Sequence, residues 1–307
     1  MSSVEAGLAP TLADTDATGQ RPPNRQSPTI LAIGGLLLIT AVWGSTFPLL
    51  KGVVGRVPVP DFLAVRFALA ALVVFALRPR AALRLTRTQR WHGIALGVAY
   101  GGGQVLQTVG LQHTSAAVSG FVTGMYVVFT PLLGALLLRT RTPWHLWAAV
   151  GLATAGLAAL SLDGFAVGDG ELLTLLSAAL YALHILGLGA WSTDEDAYGL
   201  TVVQLVTVTA ICTLGALPGG IAVPTRADDL GVLVYMAVAA GALAMLVQTW
   251  AQARLTAART AIIMTMEPVF AGVFAILFGG EHLGPRIVVG GGLVLAAMVL
   301  VEAVRTR

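Results

Sequence analysis

Glu267 is the residue in this sequence whose chemistry stands out most. It lies about eight residues into the apolar run 260–279, and Pro268 follows it. A helix rises ~1.5 Å per residue, so the carboxyl would sit about 12 Å from the start of that run, near the middle of a bilayer. A carboxylate at such depth costs about 2.5–3.5 kcal/mol on insertion scales, and residues of this kind usually face a cavity. Pro268 has no backbone donor and crowds the carbonyl of Met264, which loosens the turn beside the acid. An acid next to a loosened turn is a candidate proton or cation site. The competing reading is a carboxyl that stays protonated or paired and only fixes helix packing.

Arg66 is the second such residue. It lies one turn inside the run 62–77. A guanidinium there could hold a substrate carboxylate through two parallel hydrogen bonds. Its alternatives are snorkelling to the outer interface or pairing with Asp61 or another local acid. His184 is a candidate proton relay, because imidazole titrates near neutrality, and a hydrogen-bonded packing role is the alternative. Trp43 and Tyr181 sit within apolar runs instead of at their edges, so an interfacial aromatic belt does not account for them. Gln104 and Gln204, with Gln107 and Gln248, are neutral hydrogen-bonding groups within runs, suited to contact a solute or another helix. Lys51 and Asp61 fall at run edges and read as anchors. Glu281 beside His282 reads as a solvated helix end. No HExxH, GxSxG or paired-carboxylate arrangement occurs, and Gly101–Gly103 and Gly290–Gly292 lack the Lys and Ser/Thr of a phosphate loop. Neither a catalytic group, a metal site nor a cofactor is expected. The lone Cys212 excludes an intrachain disulfide.

These residues need a scaffold, and composition dictates it. Of 307 residues, 56% are apolar and only 11% are charged, with 36 Gly besides. A soluble domain carries about 25% charged residues, and mean hydropathy here is +0.83. A water-soluble globule and a disordered chain are both excluded. The chain is an integral membrane protein with the lipid bilayer as its surroundings. Residues 1–29 are polar and unpatterned, a flexible tail. Apolar runs follow at 30–50, 62–77, 91–111, 115–138, 144–162, 171–191, 199–220, 230–250, 260–279 and 286–303. The first is too long for the core of a cleaved signal peptide. Runs of this length without strict alternation are helices, not barrel strands, so the expected fold is all-α with ten transmembrane helices. If the N-terminus is cytoplasmic, inside segments hold thirteen of the 18 Lys and Arg and outside segments four, with Arg66 within a span. The positive-inside rule therefore places both termini in the cytoplasm, in a cell membrane. The same loops account for the net charge of +3, so no nucleic-acid partner is expected.

The chain also repeats itself. At an offset of 142 residues, Thr114-Ser115-Ala116-Ala117 falls on Thr256-Ala257-Ala258-Arg259, Thr123 on Thr265 and Pro143 on Pro285. At an offset of 138, Trp43 falls on Tyr181 and Arg66 on Gln204. Five spans per unit is an odd number, so the second unit enters from the opposite side. Residues 30–162 and 163–307 are then two inverted five-helix repeats, an arrangement many secondary transporters use to build a midplane site. Glu267 has Met125 at its equivalent, so the halves are not chemically the same.

Several stretches resemble the drug/metabolite transporter superfamily, in its EamA-like branch. Ala41-Val42-Trp43-Gly44-Ser45-Thr46-Phe47 with Lys51 is similar to the family's opening helix. Asp61 to Phe67, Gly110 to Ala117 with Tyr126-Val127-Val128-Phe129-Thr130-Pro131, and Ala261 to Glu281 are similar to later passages. The resemblance implies small-metabolite transport, often outward, and adds Tyr126 to the candidate cavity lining. This sequence departs from the pattern at Arg139, where Glu281 stands in the second repeat.

The function expected is secondary export of a small metabolite, amino-acid-like or amphipathic, by alternating access. ATP-binding motifs are absent, so any driving force must be a gradient, with Glu267 the candidate proton site if transport is coupled. A non-transporting receptor or scaffold and an intramembrane enzyme are the alternatives. The enzyme lacks a visible nucleophile–base or metal pair, and a scaffold gains nothing from two-sided symmetry. A homodimer is left open.

Overall fold

Backbone groups in an apolar medium must pair within their own segment, so long apolar runs coil. A computed structural model of the chain describes residues 26–137, 144–163, 166–282 and 284–303. The helices of the first half are α1 (Gln26–Val53), α2 (Val59–Leu77), α3 (Arg87–His113), α4 (Ala116–Thr123), α5 (Tyr126–Leu137) and α6 (Trp144–Ser161). Those of the second are α7 (Asp169–Trp191), α8 (Ala197–Ala216), α9 (Ala227–Ala237), α10 (Ala244–Gln252), α11 (Ala257–Met264), α12 (Met266–Leu277) and α13 (Pro285–Ala303). A two-residue antiparallel ladder, Leu162–Asp163 with Ala166–Val167, interrupts an otherwise helical set of elements. α1 begins at Gln26, inside the stretch expected as tail. The rest of that tail lies outside the described residues, as does the loop holding Arg139.

Local signals set the helix ends. Thr86 and Gln89 form a capping box, each side chain accepting from the other's backbone N–H. Ser115 caps α4 by accepting from Val118 N at 3.2 Å. α4 and α5 are separated at Gly124-Met125, and α11 and α12 at Thr265. Under the 142-residue offset Thr265 falls on Thr123, so the two breaks lie one residue apart. α9 and α10 are joined by a π-helical segment, Val238–Leu243.

Among the described residues, seven stretches are long and apolar enough to cross a membrane: Thr29–Val53, Val59–Leu77, Ala116–Leu137, Asp169–Trp191, Ala197–Gly219, Ala227–Gln252 and Arg259–Leu277. The chain is therefore a multi-pass membrane protein. The other three expected spans correspond to α3, α6 and α13. α6 and α13 carry shorter apolar stretches, Trp147–Ala159 and Pro285–Leu300. α3 carries Gln104, Gln107 and Gln112 along its length, which lowers its hydropathy.

Packing follows a regular plan. α3 lies against α7 and α8, α2 against α8, and α6 against α13. α1 packs on α12 and α11, while α7 packs on α5 and α4. Small residues set the closest approaches. A methyl on Gly97 would lie 2.6 Å from Thr207 Cβ and 2.9 Å from the Gln204 carbonyl, so α3 can sit on α8 only with glycine there. Gly120 faces Ala271 of α12 in the same way.

Candidate functional site

Between the halves lies a cavity with a free volume of about 40 Å³, room for a few waters. Helical periodicity explains which side chains reach it. On α3 the lining residues are Tyr100, Gln104 and Gln107, one turn apart on a single face. On α7 they are Tyr181, His184 and Ile185. α1 contributes Trp43, Thr46, Phe47 and Leu50, α2 contributes Arg66, and Gln248 comes from α10. The two broken rods supply Thr123 and Tyr126 on one side, Met264 and Glu267 on the other.

A directional chain of hydrogen bonds crosses one wall. Arg66 Nη1 donates to Gln104 Oε1 at 3.2 Å, and Gln104 Nε2 donates to Tyr181 Oη at 2.7 Å. Tyr181 Oη donates to Gln107 Oε1 at 3.0 Å, and Gln107 Nε2 to Thr123 Oγ1 at 2.9 Å. Every donor in the series has an acceptor, so the amide orientations follow from the chain itself. The chain holds the Arg66 guanidinium in one place before anything binds.

α9 and the π-helical segment after it brace the same wall. In a π-turn the carbonyls are displaced from their usual partners, and such segments recur at functional sites. Trp43 Nε1 donates to the Ala240 carbonyl at 2.9 Å, and Arg66 Nε to the Met236 carbonyl at 3.3 Å. Arg66 is 2% exposed and turned inward, not toward the interface. Asp61 is engaged elsewhere, accepting from Ala222 N at 3.0 Å. Among the described residues, no carboxylate comes within ion-pair distance of Arg66.

Glu267 stands apart from Arg66. It is 6% exposed, and Tyr126 Oη lies 3.0 Å from its Oε2 and 2.8 Å from the Met264 carbonyl. The cavity therefore holds one buried cation and one buried acid that do not neutralise each other. Gln248 Oε1 adds a buried acceptor with no partner among the described residues.

Seven of the eight site residues named from sequence line this one cavity: Trp43, Arg66, Gln104, Tyr126, Tyr181, His184 and Glu267. Gln204 does not. It lies behind His184, its Oε1 2.7 Å from the imidazole Nε2. The reason is geometric, since Gln204 is on the face of α8 that meets α3, where Gly97 approaches its carbonyl. Sequence reading missed Tyr100, whose ring packs against His184 at 5.1 Å between centroids. Its position one turn before Gln104 was the available signal.

Glu281 requires a correction. It does not end a helix in solvent. Its two carboxylate oxygens accept from Ala116 N at 2.7 Å and Ala117 N at 3.2 Å. The first N–H groups of a helix lack internal partners and attract negative charge, and here the second half supplies it to a helix of the first. Nearby, Lys51 Nζ donates to the carbonyls of Leu111, Gln112 and Thr114 at 2.7, 3.1 and 2.7 Å, closing the end of α3. Thr114 Oγ1 donates to Glu171 at 2.6 Å. These bonds tie α1, α3, α4, α7 and the segment after α12 together at one end of the bundle.

Known proteins resemble this chain in sequence and fold. Residues 30–162 and again 169–303 match the EamA-like transporter family. An "Uncharacterized transporter" of Archaeoglobus fulgidus is 28% identical over 272 residues, 87% of this chain and 84% of its own. The threonine/homoserine exporter RhtA of Escherichia coli is 28% identical over 279 residues, covering 89% of this chain and 92% of RhtA. A protein of Streptantibioticus cattleyicolor named "Probable terminal-alkyne amino-acid exporter" is 25% identical over 280 residues, 88% of this chain and 93% of its own. One solved crystal structure has the same fold, with a TM-score of 0.68 at 17% identity over 92% of this chain and 99% of that one. With matches spanning nearly all of both halves, the chain belongs to the EamA-like transporter family.

Proposed function

We propose that this protein exports small zwitterionic amino acids across the cell membrane by alternating access, driven by protons that enter through Glu267. The observation that carries the reading is the separation of Arg66 and Glu267 on one cavity. A zwitterion bridges such a pair, its carboxylate on the guanidinium fork and its ammonium on the acid. The free terminal nitrogen of Arg66 and the unpartnered Gln248 Oε1 supply the remaining contacts. RhtA and the Streptantibioticus relative are both named as exporters of amino acids, which agrees with this class. A free volume near 40 Å³ is too small for an amino acid, so the walls must part to admit one.

Alternating access draws support from the halves. Exchanging α1 on α11–α12 for α7 on α4–α5 preserves the packing plan, while α2–α8 and α6–α13 map onto themselves. Both broken rods meet the cavity, as in transporters built from inverted repeats. In this reading residues 30–162 and 163–307 are the two repeats, and α3, α6 and α13 complete ten spans. α3 has 27 residues, about 40 Å of helix, and its amides face protein. Both termini are cytoplasmic. In a Cys212→Ala background, an impermeant thiol reagent applied outside cells is expected to label Asp163→Cys and to spare Thr86→Cys. Labelling at 86 alone would reverse the orientation.

The functional reading is tested by thermal stabilisation of purified protein. A ligand that binds only the folded form raises the melting temperature with concentration. Threonine and homoserine are expected to stabilise it, while N-acetylthreonine and threonine amide are not. Equal stabilisation by the blocked compounds would rule out recognition of both charged ends.

A further inference from the structure

We propose that Tyr126 couples the protonation of Glu267 to the break between α11 and α12, by moving its single hydroxyl hydrogen between the carboxylate and the Met264 carbonyl. This rests on Glu267 being the proton site of the proposed exporter, and deepens that reading.

The Met264 carbonyl is an acceptor without its usual donor. In a continuous helix it would receive the N–H of residue 268, but that residue is Pro268. α11 stops at Met264 and α12 resumes at Met266. Tyr126 Oη fills the gap from the other half of the protein, 2.8 Å from Met264 O. Under the 142-residue offset Tyr126 is the equivalent of Pro268 itself. One repeat removes the donor, and the matching position of the other supplies one.

The same oxygen lies 3.0 Å from Glu267 Oε2. A tyrosine hydroxyl has one hydrogen to give and lone pairs to accept. Both contacts can be hydrogen bonds together in one way only: Glu267 carries a proton and donates it to Oη, while Oη donates to Met264. When Glu267 loses its proton, two acceptors compete for one hydrogen. The charged carboxylate makes the stronger bond and takes it. Met264 O is then a buried acceptor without a partner, an arrangement proteins rarely keep. The break must shift, or open to cavity water, to satisfy that carbonyl. Each protonation state therefore favours its own geometry of the α11–α12 junction.

Among the described residues, no other titratable group is hydrogen-bonded to Glu267. Tyr100 on α3 and Tyr181 on α7 line the cavity without a hydrogen bond to Glu267 among the described residues. Arg66 on α2 and His184 on α7 share the cavity but bond to Gln104 and Gln204. α1, α4 and α10 present Trp43, Thr46, Phe47, Leu50, Thr123 and Gln248 there, none of them titratable.

The experiment uses the full chain in proteoliposomes, with radiolabelled threonine as the probe. Tyr126→Phe removes the hydroxyl and keeps the ring. It is expected to exchange threonine across the membrane while its gradient-driven accumulation falls to a ratio of one. A parallel measurement needs no substrate. With methionine labelled by 13C at the carbonyl, the infrared band assigned to residue 264, by its absence in Met264→Leu, is expected to shift with pH in the native protein. It should stay fixed in Tyr126→Phe and in Glu267→Gln. Should Tyr126→Phe fail to fold, the band in the native protein and in Glu267→Gln decides. Native-like accumulation by Tyr126→Phe, or a band that ignores pH in the native protein, overturns the switch. If Glu267→Gln loses gradient dependence and Tyr126→Phe keeps it, the switch alone is wrong. If both keep it, the proton reading itself fails.

Discussion

Arg66→Lys is expected to weaken binding of threonine roughly 30-fold while the protein stays folded. The charge is kept, so a purely electrostatic role would survive the change. What is lost is geometry. The guanidinium is planar and offers a fork of donors that matches a carboxylate, whereas an ammonium is a point charge on a flexible stem. One charge-assisted hydrogen bond is worth about 2 kcal/mol, which is the 30-fold expected. The substitution also releases Gln104, whose Oε1 accepts from Arg66, and loosens the chain that runs through Tyr181 and Gln107 to Thr123. Calorimetric titration of both proteins with threonine measures the effect, with circular dichroism to confirm folding. Equal affinities would return Arg66 to a packing role.

Glu267→Gln is expected to abolish the response to a pH gradient without abolishing exchange. One pH unit corresponds to about 1.4 kcal/mol per proton, or a tenfold accumulation ratio at one proton per solute. Gln keeps the size of the side chain and can still bond to Tyr126 Oη, but it cannot carry a proton from one face to the other. Threonine is held more weakly, because the ammonium loses its charged partner and keeps only neutral acceptors. The native protein should accumulate threonine about tenfold per pH unit in vesicles with the matching orientation, and the variant should not accumulate it. An unchanged gradient dependence would make Glu267 a binding or packing residue only.

How much of this could be read from sequence depends on the residue. Glu267 and Pro268 were legible, because an acid in an apolar run is costly and a proline there has a known effect on the carbonyl four residues back. Trp43 and Tyr181 were legible through the repeat, and both line the cavity. Gln204 shows the limit of the same logic. It is the repeat equivalent of Arg66, yet it stands behind His184. Apolar membrane helices lack a polar face, so sequence periodicity does not say which side turns inward. Tyr100 is different, since it lies one turn before Gln104 on the glutamine face of α3, and that spacing was a usable signal. Glu281 was misread because its partners are backbone N–H groups 165 and 164 residues away in the chain, and a backbone donor leaves no mark in a sequence. The π-helical segment was likewise invisible, since Val238–Leu243 contains nothing but apolar residues and glycine. Among the described residues, length and apolarity single out seven stretches able to cross a membrane. α3 escapes that measure because the glutamines that line the cavity are the ones that make it polar.

In the proposed mechanism both ends of an amino acid are recognised in one cavity that opens alternately to the two sides. Counterflow in proteoliposomes addresses it most directly. Vesicles are loaded with unlabelled threonine, and entry of external labelled threonine is followed with no other gradient present. Transient accumulation of label is expected with the native protein, N-acetylthreonine and threonine amide failing to compete with it. Label that enters only to equilibrium, or counterflow that the blocked compounds inhibit as well as threonine does, would contradict the account.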